Sequence, residues 1–225
     1  MSQPITDTTS TPKKSSKSKG DRVVIDVFTD FWSGDPSNIK VKKVNLATNV
    51  KLLKDIPLAK GPFSLAFGIG FDAHNFKSNG SLTVDTAGKS VFIPLPDTLF
   101  GGTIVDYKKN KLTVAYLDFP VELRFRTKNE TGNKFKFSIG FQPGFLMNKH
   151  TKYVGTDLWD GTGKKIKRKV HDLSNIEKYR YGITARIGYG MYNFMFYYSL
   201  TNVFKKDKGP ELAPMSIGIT LTPIN

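Results

Sequence analysis

Beyond residue 20 the chain alternates. Val23, Ile25, Val27, Thr29 and Phe31 fall on one side of an extended ribbon, and Val24, Asp26, Phe28 and Asp30 on the other. A period of two is the signature of a strand with two different faces. A weaker run follows over residues 46–56. Next, Phe63, Leu65, Phe67, Ile69 and Phe71 alternate with Ser64, Ala66, Gly68, Gly70 and Asp72. In a fourth run Leu117, Phe119, Val121, Leu123 and Phe125 oppose Tyr116, Asp118, Pro120, Glu122, Arg124 and Arg126. After a turn at residues 129–132, Phe135, Phe137, Ile139, Phe141 and Phe145 oppose Lys136, Ser138, Gly140, Gln142 and Gly144. Tyr179, Tyr181, Ile183, Ala185, Ile187 and Tyr189 oppose Arg180, Gly182, Thr184, Arg186 and Gly188. Phe194, Phe196, Tyr198 and Leu200 mark a seventh run, and Met215, Ile217, Ile219 and Leu221 an eighth.

About eight strands, joined in sequence, predict an all-β protein: a closed antiparallel up-and-down transmembrane β-barrel. The connections after the second, fourth and sixth runs are short, and the others are longer or irregular. Long polar insertions are expected at about residues 75–110 and 149–178. That asymmetry matches short periplasmic turns and long outer loops, which puts both termini in the periplasm.

The composition of the two faces says which of them meets lipid. One is apolar and rich in Phe. The other is mostly Gly, Ser and Thr with charges of both signs, the content of a packed interior rather than a solvated surface. The expected lumen network is Asp26, Asp30, Asp72, Asp118 and Glu122 against Arg124, Lys136, Arg180 and Arg186, with Arg126 beside them. Buried ions need partners, and a barrel of this size has room for side chains but none for a channel, so a plugged lumen without a diffusive pore follows. Phe31, Trp32, Phe63, Tyr179, Tyr189, Tyr192 and Phe204 lie near strand ends, where aromatic girdles are expected.

Charge then adds an address. The formal net charge is +15. With the lumen nearly balanced, the surplus falls in a basic tail over residues 1–20 (Lys13, Lys14, Lys17, Lys19), in Lys40, Lys42 and Lys43, and in a basic loop formed by Lys164, Lys165, Lys167, Arg168 and Lys169. The tail is rich in Ser, Thr, Lys and Pro without apolar periodicity, the composition of disorder. The barrel domain is expected over residues 21–225. The basic loop is expected to face lipopolysaccharide, whose phosphates are the natural counter-ions at an outer leaflet. Nucleic acid is not an expected partner, because no recognition module or aromatic-studded basic face is visible.

No catalytic, cofactor-binding or metal site is expected. The chain has no cysteine and three histidines, His74, His150 and His171, without metal-motif spacing. His150 and His171 share an insertion with Asp157, Asp160 and Asp172, the one place where a surface metal or acid–base pair could assemble. Gly68-Ile69-Gly70 and Gly188-Tyr189-Gly190 lie on strand patterns with no helix after them, which argues for tight strand packing rather than phosphate binding.

The stretch Lys111-Leu112-Thr113-Val114-Ala115-Tyr116-Leu117-Asp118-Phe119-Pro120-Val121-Glu122-Leu123-Arg124-Phe125 resembles the corresponding strand of the PorT-type outer-membrane β-barrel family of Bacteroidetes. The run Arg180 to Gly190, followed by Tyr198-Ser199-Leu200, Phe204-Lys205-Lys206, Gly209-Pro210-Glu211-Leu212 and Ser216-Ile217-Gly218, is similar to that family's closing strands in order and spacing. The resemblance implies an outer-membrane location, an exported precursor whose signal peptide has been removed, and a possible link to type IX secretion. It implies no functional residue. The function expected is a non-enzymatic scaffold or binding component of the bacterial envelope, in contact with outer-membrane lipid, lipopolysaccharide and envelope proteins. Two alternatives stay open at this point: an outer-leaflet lipid-modifying enzyme and a soluble lipocalin-like carrier of a hydrophobic ligand.

Overall fold

The computed structural model describes residues 22–224 apart from 35, 37, 43, 60, 100, 101, 128–134, 159 and 161. The basic tail expected over residues 1–20, Lys43 and the turn at residues 129–132 lie outside the described residues. Twelve strands are described: β1 (Val23–Ser33), β2 (Leu46–Pro57), β3 (Phe63–Lys77), β4 (Gly80–Val84), β5 (Ser90–Pro94), β6 (Tyr107–Asp118), β7 (Val121–Arg126), β8 (Phe135–Thr156), β9 (Lys165–Val170), β10 (Tyr179–Tyr189), β11 (Tyr192–Ser199) and β12 (Ala213–Ile224).

Eight staves close the barrel, because β6 and β7 are halves of one. β6 pairs with the far half of β3 and β7 with its near half, and both then pair with β8. The break falls at Phe119-Pro120, where proline has no N–H to give the ladder. From there the ring continues through β10, β11 and β12 and returns to β1, antiparallel at every step. Closure leaves no edge along the wall, which a bilayer demands of any sheet that crosses it.

The connections β2–β3, β7–β8 and β10–β11 lie at one end of the barrel, the long ones at the other. The tightest turn places Gly190 at φ 61° between the paired Tyr189 and Tyr192. A positive φ there matches the twist of a two-residue hairpin and favours glycine.

The long insertions are more ordered than the sequence suggests. The insertion at residues 75–110 holds the hairpin β4–β5. In the insertion at residues 149–178, β8 runs unbroken to Thr156 and pairs there with β9, so nearly half of the expected loop is sheet standing above the barrel.

At that end the interior is apolar. Phe76, Leu112, Val114, Tyr116, Leu173, Ile176, Val203, Phe204 and Leu212 form a buried cluster, with Trp32, Leu82, Phe92, Leu146 and Val170 packed against it. This corrects the placement of two girdle aromatics. Trp32 turns inward to meet Phe76 edge-on at 5.0 Å, and Phe204 is buried against Phe92. Phe63, Tyr179, Tyr189 and Tyr192 do face outward.

Candidate functional site

Every second side chain of the wall points into the lumen. Asp26 and Asp118 are 0% exposed, whereas Ile139 in mid-wall is 49% exposed. Outward with it go Phe67, Ile69, Phe71, Phe119, Val121, Leu123, Phe137, Phe141, Ile183, Ile187 and Ile219. A soluble carrier of a hydrophobic ligand would need Phe119, Leu123 and Ile183 to line a cavity. They face the surroundings instead, and Glu122 and Arg186 are buried.

The lumen charges form two tiers. Nearer the short-turn end, the Arg186 guanidinium reaches across the barrel from β10. It meets Asp26 of β1 at 3.0 Å and Glu122 of β7, while its Nε donates to Thr220 at 3.2 Å. Lys51 of β2 adds a second cation, 3.3 Å from Asp26. Glu122 also holds Arg124 at 2.9 Å, and Asp55 sits against Arg126 and 3.9 Å from Arg124. Lys136 joins through Thr222, 3.2 Å away.

The upper tier turns on Arg180. Its Nη2 bridges Asp72 at 2.6 Å and Asp118 at 2.7 Å, and its plane lies 4.1 Å from the Tyr116 ring centroid, a cation–π stack. His74 touches the same guanidinium and links it to Asp30, 2.9 Å from Nδ1, and to Asp72, 3.2 Å from Nε2. Gln142 donates to Asp118 at 2.8 Å and Ser216 to Asp30 at 2.7 Å.

Counted inward, six carboxylates (Asp26, Asp30, Asp55, Asp72, Asp118, Glu122) face six cations (Lys51, Arg124, Arg126, Lys136, Arg180, Arg186), with His74 inside the upper tier. Such closure is what a low-dielectric interior requires of ions. The gap bounded by Val24, Glu122, Arg186 and Thr222 is about 20 Å³, room for about one water. Protein reconstituted in a planar bilayer is therefore expected to give no discrete conductance steps; stable steps would mean that the plug opens.

Sequence reasoning missed Lys51, His74 and Asp55. The signal for all three was present. Lys51 and Asp55 follow Ala47 and Asn49 on the inward parity of β2, and His74 follows Asp72 on that of β3.

The basic residues of the insertion at residues 149–178 part company. Lys165 binds Asp106 at 2.7 Å. Arg168 turns inward to line a cavity of about 500 Å³ with Leu82, Phe92, Leu112, Tyr153 and Asp172. Lys167 and Lys169 take the opposite, outward face of β9, and Lys164 precedes the strand. His150 and His171 lie with ring centroids 5.3 Å apart, and His150 bonds to Asn148 at 3.1 Å. The acidic residues of the insertion do not join them: Asp160 bonds to Thr162 and Asp172 lines the cavity. Among the described residues no three His, Asp or Glu side chains form a metal-holding group.

The inverted wall and the closed ring agree with what comparison with known proteins finds. Residues 23–205 match the family described as outer membrane protein beta-barrel domain. The chain belongs to that family. Comparison with curated proteins and with solved structures gave no match. The family supplies the solvent against which the wall is to be understood: apolar side chains that would be a liability in water are the ones an outer membrane selects.

Proposed function

We propose that this outer-membrane barrel is a non-enzymatic scaffold or binding component of the bacterial envelope, with its loops outside the cell and both termini in the periplasm. The observation that carries the reading is the combination of an ion-paired, filled lumen with ordered structure built on the loop end. A barrel of this kind transports nothing through its middle, and its wall is occupied by lipid, so what it offers to partners is its ends. The orientation rests on loop length: the three short connections share one end with Val23 and Ile224, as the periplasmic end of such barrels does. The PorT-type resemblance makes the type IX secretion machinery the first set of envelope partners to test.

The absence of cysteine makes orientation directly measurable. A single cysteine at Ala87, in the turn of β4–β5, is expected to react with a membrane-impermeant maleimide on intact cells. One at Met191, in the β10–β11 turn, should react only after the outer membrane is permeabilised. The reverse result would invert the barrel. Crosslinking in intact cells followed by mass spectrometry then tests the scaffold role, and recovery of no envelope protein would count against it.

A further inference from the structure

Above the apolar belt, β6, β8 and β9 continue as a three-stranded sheet whose outward face extends the lipid-facing wall. Following the parity of β6 upward from Leu117 leads through Ala115 and Thr113 to Lys111 and Lys109. These pair across to Lys152 and Val154 of β8, and those in turn to Lys169 and Lys167 of β9. On the other side Lys111 faces Lys77 of β3. Four lysines, Lys77, Lys111, Lys152 and Lys169, thus stand in one row across four adjacent strands, with Lys109 and Lys167 in the next row.

Like charges directly opposite one another destabilise a sheet. Among the described residues no carboxylate forms an ion pair with any of the six. Asp106, at the edge of this region, is paired with Lys165. The field is strong enough to be felt by its own members. Lys152 is pushed down chiefly by Lys167, and Lys111 by partial burial and then by Lys152 and Lys109. The His150 imidazole is pushed down to about 4 by partial burial and then by Lys169 and its neighbours. Part of the face is already held in place, since Asn75 Oδ1 accepts from Lys111 Nζ at 2.6 Å and from Thr113 at 3.0 Å.

Height decides the ligand. Met147, at the bulge of β8 beside Ala115, is the last exposed large apolar side chain on this face, with only the half-buried Val154 above it among the lysines. The lysine row lies four residues further up, roughly 13 Å along the strand and less in height once the strand tilt is allowed for. That is the headgroup layer. We infer that the outward face of β3, β6, β8 and β9, through Lys77, Lys109, Lys111, Lys152, Lys167 and Lys169, is a binding site for the phosphates of outer-leaflet lipopolysaccharide. The inference rests on the orientation proposed above. It assigns the contact to a sheet face, four of its six lysines from β3, β6 and β8, and leaves Arg168 and Lys165 out.

The test uses the full chain refolded in detergent and titrated with mixed micelles of bisphosphorylated lipid A, of lipid A stripped of its phosphates, or of phosphatidylglycerol. A variant carrying Lys152→Gln, Lys167→Gln and Lys169→Gln is compared with one carrying Lys205→Gln, Lys206→Gln and Lys208→Gln on another loop. Bisphosphorylated lipid A is expected to bind in preference to the other two lipids, with a loss of roughly 30- to 100-fold in the first variant and little change in the second. Without lipid, the first variant should melt no lower than the parent, because it has shed repulsion; misfolding would lower it. Equal affinity for the dephosphorylated lipid, unchanged affinity in the first variant, or displacement by inorganic phosphate at matching concentration would each overturn the inference. Fractionation separates the two levels of argument. A chain in the outer membrane that ignores lipid A sinks only this site, whereas a chain absent from that membrane sinks the functional reading with it.

Discussion

Arg180→Met is expected to lower the unfolding free energy by ~3–5 kcal/mol, the cost of stripping a buried ion pair of one partner. Asp72 and Asp118 both lose their shared cation, and the other neighbours cannot replace it: Gln142 already donates to Asp118, and His74 is divided between Asp30 and Asp72. Urea unfolding in lipid vesicles, followed by tryptophan fluorescence, measures the loss. Trp32 reports from the apolar cluster just above Arg180. Adding Asp118→Asn to Arg180→Met should recover part of the stability, because one of the two orphaned charges is then gone. If Arg180→Met cost under about 1 kcal/mol, a value typical of exposed pairs, the upper tier would not be the closed, dry network described here.

Added bulk where two strands touch acts on closure itself. A Cβ added at Gly218 would lie 2.2 Å from the Val27 carbonyl oxygen and 2.5 Å from the Phe28 Cα, both backbone atoms. Gly218→Val is therefore expected to prevent closure of β12 onto β1, read as loss of the compact, heat-modifiable band in electrophoresis. Small residues and ions do different jobs in the lumen: the first let the strands approach, the second hold what the approach encloses.

Much of this was legible in the sequence, for a physical reason that also explains what was not. Inside the membrane the outward face must be apolar and the inward face filled with small or paired groups, so alternation is enforced at every step and can be read directly. Asp26, Asp72, Glu122, Arg180 and Arg186 all followed from parity alone. Above the hydrocarbon the constraint disappears while the backbone pairing continues. The upper part of β8 and all of β9 place Lys152, Lys167 and Lys169 where Phe137 and Ile139 stand lower down, and a strand without an apolar face looks like a polar loop. The apolar cluster at the mouth was hidden for the opposite reason. Leu173, Ile176, Val203, Phe204 and Leu212 lie on connections with no period, and only the fold brings them over Phe76 and Val114. Trp32 shares even parity with Phe28 and Asp30, so its inward direction was available; position near a strand end pointed the other way.

Ile139→Arg is the second change with a large expected effect, and it tests the surroundings of the barrel rather than its contents. Ile139 faces outward near mid-wall, between Leu123 of β7 and Ala185 of β10. A cation there would lie in hydrocarbon, at a cost of ~2–4 kcal/mol that falls to about 0–1 kcal/mol near the interface. Val44, exposed just before β2 at the loop end, provides the comparison. In lipid vesicles Ile139→Arg should destabilise by several-fold more than Val44→Arg, as read from urea midpoints at constant slope. In water the ranking would vanish or reverse, because an exposed isoleucine in a soluble sheet loses little when it becomes an arginine. Two outward positions at different heights thus measure whether the apolar wall is set against acyl chains.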